Sequence, residues 1–521
     1  MRAIVCLFDS LNRAALGAYG GRAIPTPNFD RLAERAVVFD QHFVGSLPCM
    51  PARRDLHTGR LNFMHRSWGP LEPFDNSFPQ ILQDAGIYSH LVTDHNHYFE
   101  DGGATYHTRF ASYDFIRGQE NDAWKAMVQA PVARLREQWA EKHYSFASGR
   151  VDDPNRRRLI HVINKQAMQR EDEMPGPRCF ASAFEFLQAN HREDGWFLQL
   201  ECFDPHEPFD APPSFKQKFS TGWNGGILNW PIYEQVTESA EEIAEIRANY
   251  AALVNMCDHY FGRLLDFMDQ HDMWRDTALI LTTDHGFLLS EHDWWGKNLQ
   301  PYYREISHIP LMIHHPAYTA QAGSRIGAIS QTFDLMPTIL DIFDQPMPPE
   351  ITGRSLLGLL ADPTRKNRDV AIFGMFGGPL GASDGRYDCY LYPEDLYAPG
   401  LHEYTLMPVH IRSLMTADEL NTAELTRQFS FTKGAPLMRI DALRDARRIP
   451  NVDDRVFENP GTQLYDLAND PNQGHPIAAP AVEARLRAGI VEVLEQHECP
   501  AEVYGRLGLN SPIQETVLRE S

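Results

Sequence analysis

The sequence predicts an α/β protein: a large, doubly wound, mostly parallel sheet flanked by helices, followed by a smaller C-terminal α+β subdomain. Three observations carry this expectation. Short apolar runs lack the alternation of half-exposed strands, helical patterns lie between them, and several runs end in an acidic residue. The runs are 3–8, 89–92, 196–203, 277–282 and 309–313. Their unbroken apolar character suits parallel strands covered on both faces.

Between the runs, Thr26 and Pro27 read as an N-cap and first helical residue, with Phe29, Leu32, Ala33 and Ala36 on one face. Within 250–270, Leu253, Met256, Tyr260, Leu264 and Phe267 form a helical stripe that belongs to a core. A further helix is expected over 331–343, bent at Pro337. Alternating strands and helices favour the doubly wound arrangement. Beyond about residue 362 the chain turns polar and loop-like, 374–385 is rich in glycine, and an amphipathic helix follows near 481–497. These shifts place a catalytic α/β domain at 1–365 and a smaller subdomain with a terminal helix at 366–521.

Open sheets bind ligands at the carboxyl ends of their strands. Asp9, Asp204 and Asp284 each stand at such an end, and Asp94 is a fourth. Their recurrence predicts one polar, metal-containing site.

Composition narrows the function classes. A net charge of −22 repels polyanions, which disfavours nucleic acid as a partner. No window of about 18 apolar residues exists to span a membrane, and the apolar start of the chain lacks the length and cleavage site of a secretory signal. Seven scattered cysteines without a CxxC pair argue against a disulfide framework or structural zinc, and for a reducing cytoplasm.

The most specific segment runs from Leu47 through Cys49, Pro51 and Arg53 to Thr58-Gly59-Arg60. A free cysteine is ordinarily a small buried apolar group, and that reading of Cys49 stands beside any chemical one. Asp9 and Asp284 offer hard oxygen ligands from separate strand ends, and His285 adds an imidazole, though a hydrogen-bonded loop histidine is the plainer reading of it. Taken alone, His206 and Lys297 would be surface residues.

The pattern Cys-x-Pro-x-Arg followed by Thr-Gly-Arg resembles the signature of the type I sulfatases and the related phosphonate monoester hydrolases, within the alkaline-phosphatase-like superfamily. Asp9, Thr26-Pro27-Asn28, Asp204-Pro205-His206, Asp284-His285-Gly286, Trp295-Gly296-Lys297 and the late stretch from Leu464 to Pro471 follow in the family's order. The resemblance therefore spans nearly the whole chain. It implies that a formylglycine-generating enzyme oxidises Cys49 to formylglycine. In its hydrated form, one oxygen binds a metal and attacks sulfur or phosphorus, and the other then expels the bound acid. A serine would lack that second step. Arg53, one helical turn on, would hold the diol. The resemblance names Asp9, Asp284, His285 and residue 49 as metal ligands, His206 as an exposed proton donor whose pKa a neighbouring anion raises, and Lys297 as a cation for non-bridging oxygens. Thr93-Asp94-His95-Asn96-His97 stands where many members carry Lys-x-His; the lysine is missing, and His95 or His97 is the candidate substrate or diol contact.

Two departures bear on the metal. Ser10 replaces a usual second Asp and His285 a usual Asn, which shifts preference from calcium towards manganese. The Asp-His pair is associated with the phosphonate side of the family. The expected activity is formylglycine-dependent, metal-assisted hydrolysis of small anionic sulfate monoesters of the aryl sulfate type, with promiscuity towards phosphonate monoesters and phosphodiesters. The alternatives are phosphonate monoester hydrolysis or phosphodiesterase activity as the main function, and a non-catalytic scaffold that keeps the fold. Relatives also imply a homo-oligomer, with the C-terminal segment as candidate interface. Glu291-His292-Asp293 reads as the loop presenting Lys297, and Arg13, Arg60, Trp294 and Trp295 as packing residues.

Overall fold

A computed structural model describes residues 1–299, 301–442 and 459–512. Its main sheet has eight strands, in the order Arg325–Ile326, Val37–Phe39, Leu311–His314, Thr277–Thr282, Arg2–Phe8, Trp196–Cys202, Tyr88–Thr93, Ser112–Phe115. The central strand Arg2–Phe8 runs parallel to both neighbours, with Leu7 beside Thr282 on one side and Glu201 on the other. Asp9 and the segment after Thr282 therefore leave the sheet at the same edge.

The run at 309–313 departs from expectation. Leu311–His314 is antiparallel to both Thr277–Thr282 and Val37–Phe39. It is fully buried like its parallel neighbours, so its apolar pattern carries no information about direction.

Alternate residues of the central strand feed two cores. Ile4, Cys6 and Phe8 pack with Phe29, Phe180 and Phe261 on one face. Ala3, Val5 and Leu7 pack with Met50, Leu56 and Ile339 on the other. On the first face the helix Ala240–Gln270 starts ten residues before the apolar stripe suggested. Ser239 and Glu242 form a capping box there, and Ile243 and Ile246 carry the apolar stripe back towards it, with Ile246 in the core. The helix Pro27–Arg35 is capped from outside. The N–H groups of Asn28 and Phe29 both donate to Asp258 of the long helix, while Thr26 Oγ1 accepts from Gly17 instead. In Leu335–Ile342, Pro337 falls in the first turn, where its missing N–H removes no intrahelical bond.

The C-terminal part builds a four-stranded antiparallel sheet from Ala371–Gly374, Leu380–Ser383, Tyr387–Leu391 and Gln463–Asp466. The helix Pro480–Gln496 buries Leu486, Ile490 and Leu494 against it. Phe373 and Tyr390 share a core with Phe43, Val44 and Leu47, so this sheet backs the segment that leads into Cys49. Backbone bonds from Gly374 to Gly45 and from Leu47 to Gly374 lock the two together. Among the described residues no helix is long and apolar enough to cross a membrane.

Candidate active site

Cys49 is the first residue of the helix Cys49–Thr58, whose ten residues are all buried. Asp55 fixes the loop around it by accepting from Ser46 N (2.6 Å), Ser46 Oγ (2.8 Å) and Asn62 N (3.1 Å). One turn after Cys49, the guanidinium of Arg53 is 0% exposed and meets three carboxylates. Its Nε donates to Glu201 Oε1 at 2.6 Å, Nη1 to Asp284 Oδ2 at 2.6 Å and Nη2 to Asp9 Oδ2 at 2.9 Å. Nη1 also reaches the Cys49 carbonyl at 3.0 Å. Arg53 therefore ties three strand ends and the helix together beneath position 49. Glu201 was not foreseen from the sequence. Its signal was there: Gln199 and Glu201 are polar residues at alternate positions of an otherwise apolar strand, so both point to the same face.

One potential ligand atom each from Asp9, Cys49, Asp284 and His285 lies within 4.8 Å of the others, and all four residues are buried. The His285 ring donates Nδ1–H to the Gly286 carbonyl at 2.9 Å, which turns the Nε2 lone pair inward, 3.3 Å from Cys49 Sγ and 3.4 Å from Asp284 Oδ2. Burial lowers its pKa to about 3, so the ring is neutral. A backbone carbonyl on the far nitrogen is the usual support of a metal-ligating histidine. Donors in cis positions around an ion at about 2.2 Å stand roughly 3 Å apart, which these spacings approach. Ser10 bonds to both aspartates of the group. Held in the left-handed region (φ 59°), it donates Oγ to Asp9 Oδ1 (2.8 Å) and its N–H to Asp284 Oδ1 (3.1 Å).

Lys297 Nζ lies 3.5 Å from Cys49 Sγ, 3.2 Å from Ser10 Oγ and 4.0 Å from Asp9 Oδ1. Burial works against its charge, but Cys49, Glu207, Asp9 and Asp284 outweigh that and hold its pKa up. Charge counting supports a cation site. Two buried cations, Arg53 and Lys297, are outnumbered by the buried carboxyl groups around them, Asp9, Asp284, Glu201 and Glu207. A divalent ion would offset that surplus of negative charge. The residues present fit such an ion.

The four strand-end acids do not share one site. Asp94 accepts from Phe203 N at 2.6 Å and Gln119 Nε2 at 3.0 Å, and forms a separate pair with Asp204. Burial, reinforced by Asp94, pushes Asp204 up to about 8, and burial pushes Asp94 up to about 7. Both values exceed those of the unfolded chain, so the folded state binds the extra proton. The associated stability is complete at low pH and is lost as pH rises through about 7 to 8. Thermal melts between pH 6 and 9 should show Asp204→Asn gaining about 2 kcal/mol on the wild type over that range. Parallel pH curves would remove the pair as the cause.

His206 is 5% exposed, not the open imidazole expected. Its Nδ1 donates to the Glu207 carbonyl at 2.5 Å. Burial, with Lys297 adding to it, holds its pKa well below the usual value, so it is neutral at rest, opposite to the upward shift expected. His95 is fully buried and neither ring nitrogen has a hydrogen-bond partner. His97, whose ring lies 4.9 Å from that of His95, has both nitrogens engaged: Nδ1 with Glu100 Oε2 and Nε2 with Arg412 Nη2, each at 2.8 Å. Arg412 comes from the C-terminal part and was also unforeseen, because nothing local in its sequence marks a contact 315 residues away. In the loop before Lys297, His292 stacks on Tyr303, and none of Glu291, His292 and Asp293 joins the ligand group. Trp295 is a core residue that donates Nε1–H to Glu238, and Arg13 and Arg60 lie over Tyr19 and Phe431.

The chain is similar to known proteins in sequence and in fold. A family model described as Sulfatase matches residues 3–345. The chain is 24% identical over 417 residues to an N-acetylglucosamine-6-O-sulfatase of Bacteroides thetaiotaomicron, covering 68% of this chain and 70% of that protein. It is 26% identical to the multifunctional alkaline phosphatase superfamily protein PehA of Trinickia caryophylli, covering 65% and 72%. Its fold is similar to that of a phosphonate monoester hydrolase of Agrobacterium radiobacter, with a TM-score of 0.62, 18% identity and 95% of each chain covered.

Proposed function

The chain belongs to the sulfatase family, and from that premise we propose that it hydrolyses sulfate monoesters of the aryl sulfate type with formylglycine at position 49 and one divalent ion. The same site also accepts phosphonate monoesters and phosphodiesters, which share a tetrahedral anionic centre and a single negative charge. One observation supports this above the others. The Cys49 sulfur stands among Asp9, Asp284 and His285 and within 3.5 Å of Lys297, where a hydrate oxygen of the modified residue would stand.

An ion bound by Asp9, Asp284, His285 and residue 49 supplies Lewis acidity that lowers the pKa of an oxygen at position 49. The rest is done by the chain. Arg53, fixed by three carboxylates, holds Asp9 and Asp284 at a set separation. Lys297 places a charge beside the nucleophile for the non-bridging oxygens of the ester. His206, oriented through Nδ1–H, presents an unprotonated Nε2 that can take the proton released by the attacking hydroxyl and pass it to the leaving oxygen, and His95 offers an unengaged imidazole to the diol or the bound acid.

Manganese is the favoured ion and calcium the alternative, because an imidazole nitrogen has joined the donor set and Ser10 withholds a second carboxylate. After chelation, manganese should restore at least about tenfold more activity than calcium, consistent with nitrogen ligation. Restoration by calcium alone would refute the assignment. The proposal as a whole is tested by peptide mass spectrometry across residue 49 with parallel assays of an aryl sulfate and a phenyl phosphonate ester. An aldehyde and aryl sulfate turnover support it, and a wholly unmodified thiol in protein from its own host refutes the mechanism. Phosphonate hydrolysis as the main activity is the second reading, favoured by His285 following Asp284.

A further inference from the structure

Residues 125–165 form a lobe with a core of its own, in which Leu135, Trp139, Tyr144 and Val162 are buried together. A bond from Lys125 N to Asn164 Oδ1, at 3.0 Å, ties its two ends. Nine Lys and Arg against four Asp and Glu give the lobe a surplus of five positive charges, in a chain whose net charge is −22. At its tip two loops are fastened to each other. Ala130 N donates to the Gly149 carbonyl at 2.8 Å, and Gln129 Nε2 to the Ser148 carbonyl at 2.9 Å. Asp153, 4% exposed, fixes the second loop. Its Oδ2 accepts from the N–H groups of Ala147 (3.0 Å), Ser148 (2.8 Å) and Gly149 (2.8 Å), and its Oδ1 from that of Asn155 (2.9 Å).

Three aliphatic side chains stay outside this small core. Val128 is 87% exposed, Val151 68% and Met127 41%. Each lies within two residues of a bonded pair, so one end of the lobe presents all three. Lys125, Arg150 and Arg156 are exposed beside them, and the Arg156 N–H donates to the Asp153 carbonyl at 3.1 Å, which holds it to the same turn. Asp152, 3.8 Å from Arg150, offsets one of these charges and leaves the tip positive.

Single exposed apolar side chains are ordinary, but a cluster on one fixed tip marks a contact surface. Its composition selects the partner. A nucleic acid or an acidic sugar would meet the cations and leave the aliphatic groups in water. The boundary of an anionic bilayer meets both, because acyl chains take Val and Met while headgroup phosphates take Lys and Arg. The acidic remainder of the chain does not cancel the attraction. At physiological salt, charges act over about 8 Å, so the groups at the contact decide.

We propose that the tip formed by 127–130 and 148–151 docks on the surface of an anionic lipid bilayer, with Met127, Val128 and Val151 entering the headgroup–acyl boundary and Lys125, Arg150 and Arg156 meeting lipid phosphates. This is contact with one leaflet, distinct from a spanning helix, and it does not depend on the reaction proposed above.

The test is sedimentation of the full chain at physiological salt with vesicles of phosphatidylcholine alone, or with about a third phosphatidylglycerol to supply the negative surface. The wild type should bind the anionic vesicles and not the neutral ones, and release from them as salt is raised. Val128→Ser with Val151→Ser, and separately Arg150→Ser with Arg156→Ser, should each weaken binding at least about tenfold, the scale set by two aliphatic side chains or two surface cations. All four side chains are exposed, so the melting curves of both double variants should overlay that of the wild type. No binding, equal binding to both vesicles, or binding that neither double variant weakens overturns the proposal. Weakening by the arginine pair but not by the valine pair overturns bilayer docking in favour of a soluble polyanion. Self-association that the valine pair abolishes, without vesicle binding, overturns it in favour of a second copy of the chain.

Discussion

Cys49→Ala is expected to abolish hydrolysis of sulfate and phosphonate esters together, lowering kcat at least about 10⁴-fold, the scale on which loss of a covalent nucleophile is felt. The loss is chemical and not structural. The thiol touches His285 Nε2 and Lys297 Nζ, and its removal should cost only about 1 kcal/mol of stability. Cys49→Ser sharpens the prediction. A serine hydroxyl has the same place above Arg53 but no second hydroxyl to expel the bound acid. Mixing it with an aryl sulfate should release at most one equivalent of phenol per site and then stop. Sustained turnover by either variant would show that position 49 is not the nucleophile. Retention of one activity with loss of the other would show that two sites exist.

Arg53→Met should be the most damaging single change to the fold at the site. It leaves Asp9, Asp284 and Glu201, all buried, without the guanidinium they share. Breaking a buried ion pair from one side costs about 3–5 kcal/mol, and here three carboxylates lose their partner at once. The carboxylates of such a variant would hold protons to higher pH than in the wild type. Their folded-state pKa values would then exceed the unfolded ones, so stability should recover as pH falls towards 4. Arg53→Lys keeps the charge but offers one ammonium in place of a three-way fork, so it should regain part of the stability and little of the activity. Denaturant melts at pH 5 and pH 8, beside kcat/KM for an aryl ester, check both parts. A variant as stable as the wild type at pH 8 would contradict the role given to Arg53.

How far the sequence revealed these groups follows from the range over which each one acts. Asp9, Cys49, Arg53, Asp284 and His285 sit at strand ends or in the first two turns of a helix, and their types and positions mark them in one dimension. The apolar runs likewise marked the strands that carry them, but not the reversed direction of Leu311–His314, because burial on both faces leaves the same pattern either way. Asp94 and Asp204 misled for a related reason. A strand-end acid announces polarity at an edge without saying which neighbour it meets, and Gln119, which bonds to Asp94, comes from a loop with no regular pattern. Glu120 and Arg412 were beyond reach. Each enters from a distant segment, and its meaning appears only when His97 stands between them.

The complete enclosure of the helix that begins at Cys49 has a consequence for how the molecule is made. In the folded chain residue 49 is 2% exposed and every residue of its helix is buried. Under the proposed modification of residue 49, an enzyme acting on it would have to reach the segment before folding encloses it, so oxidation and folding would compete. On that proposal, chains that fold first would accumulate as an unmodified population whose residue 49 the folded state keeps out of reach.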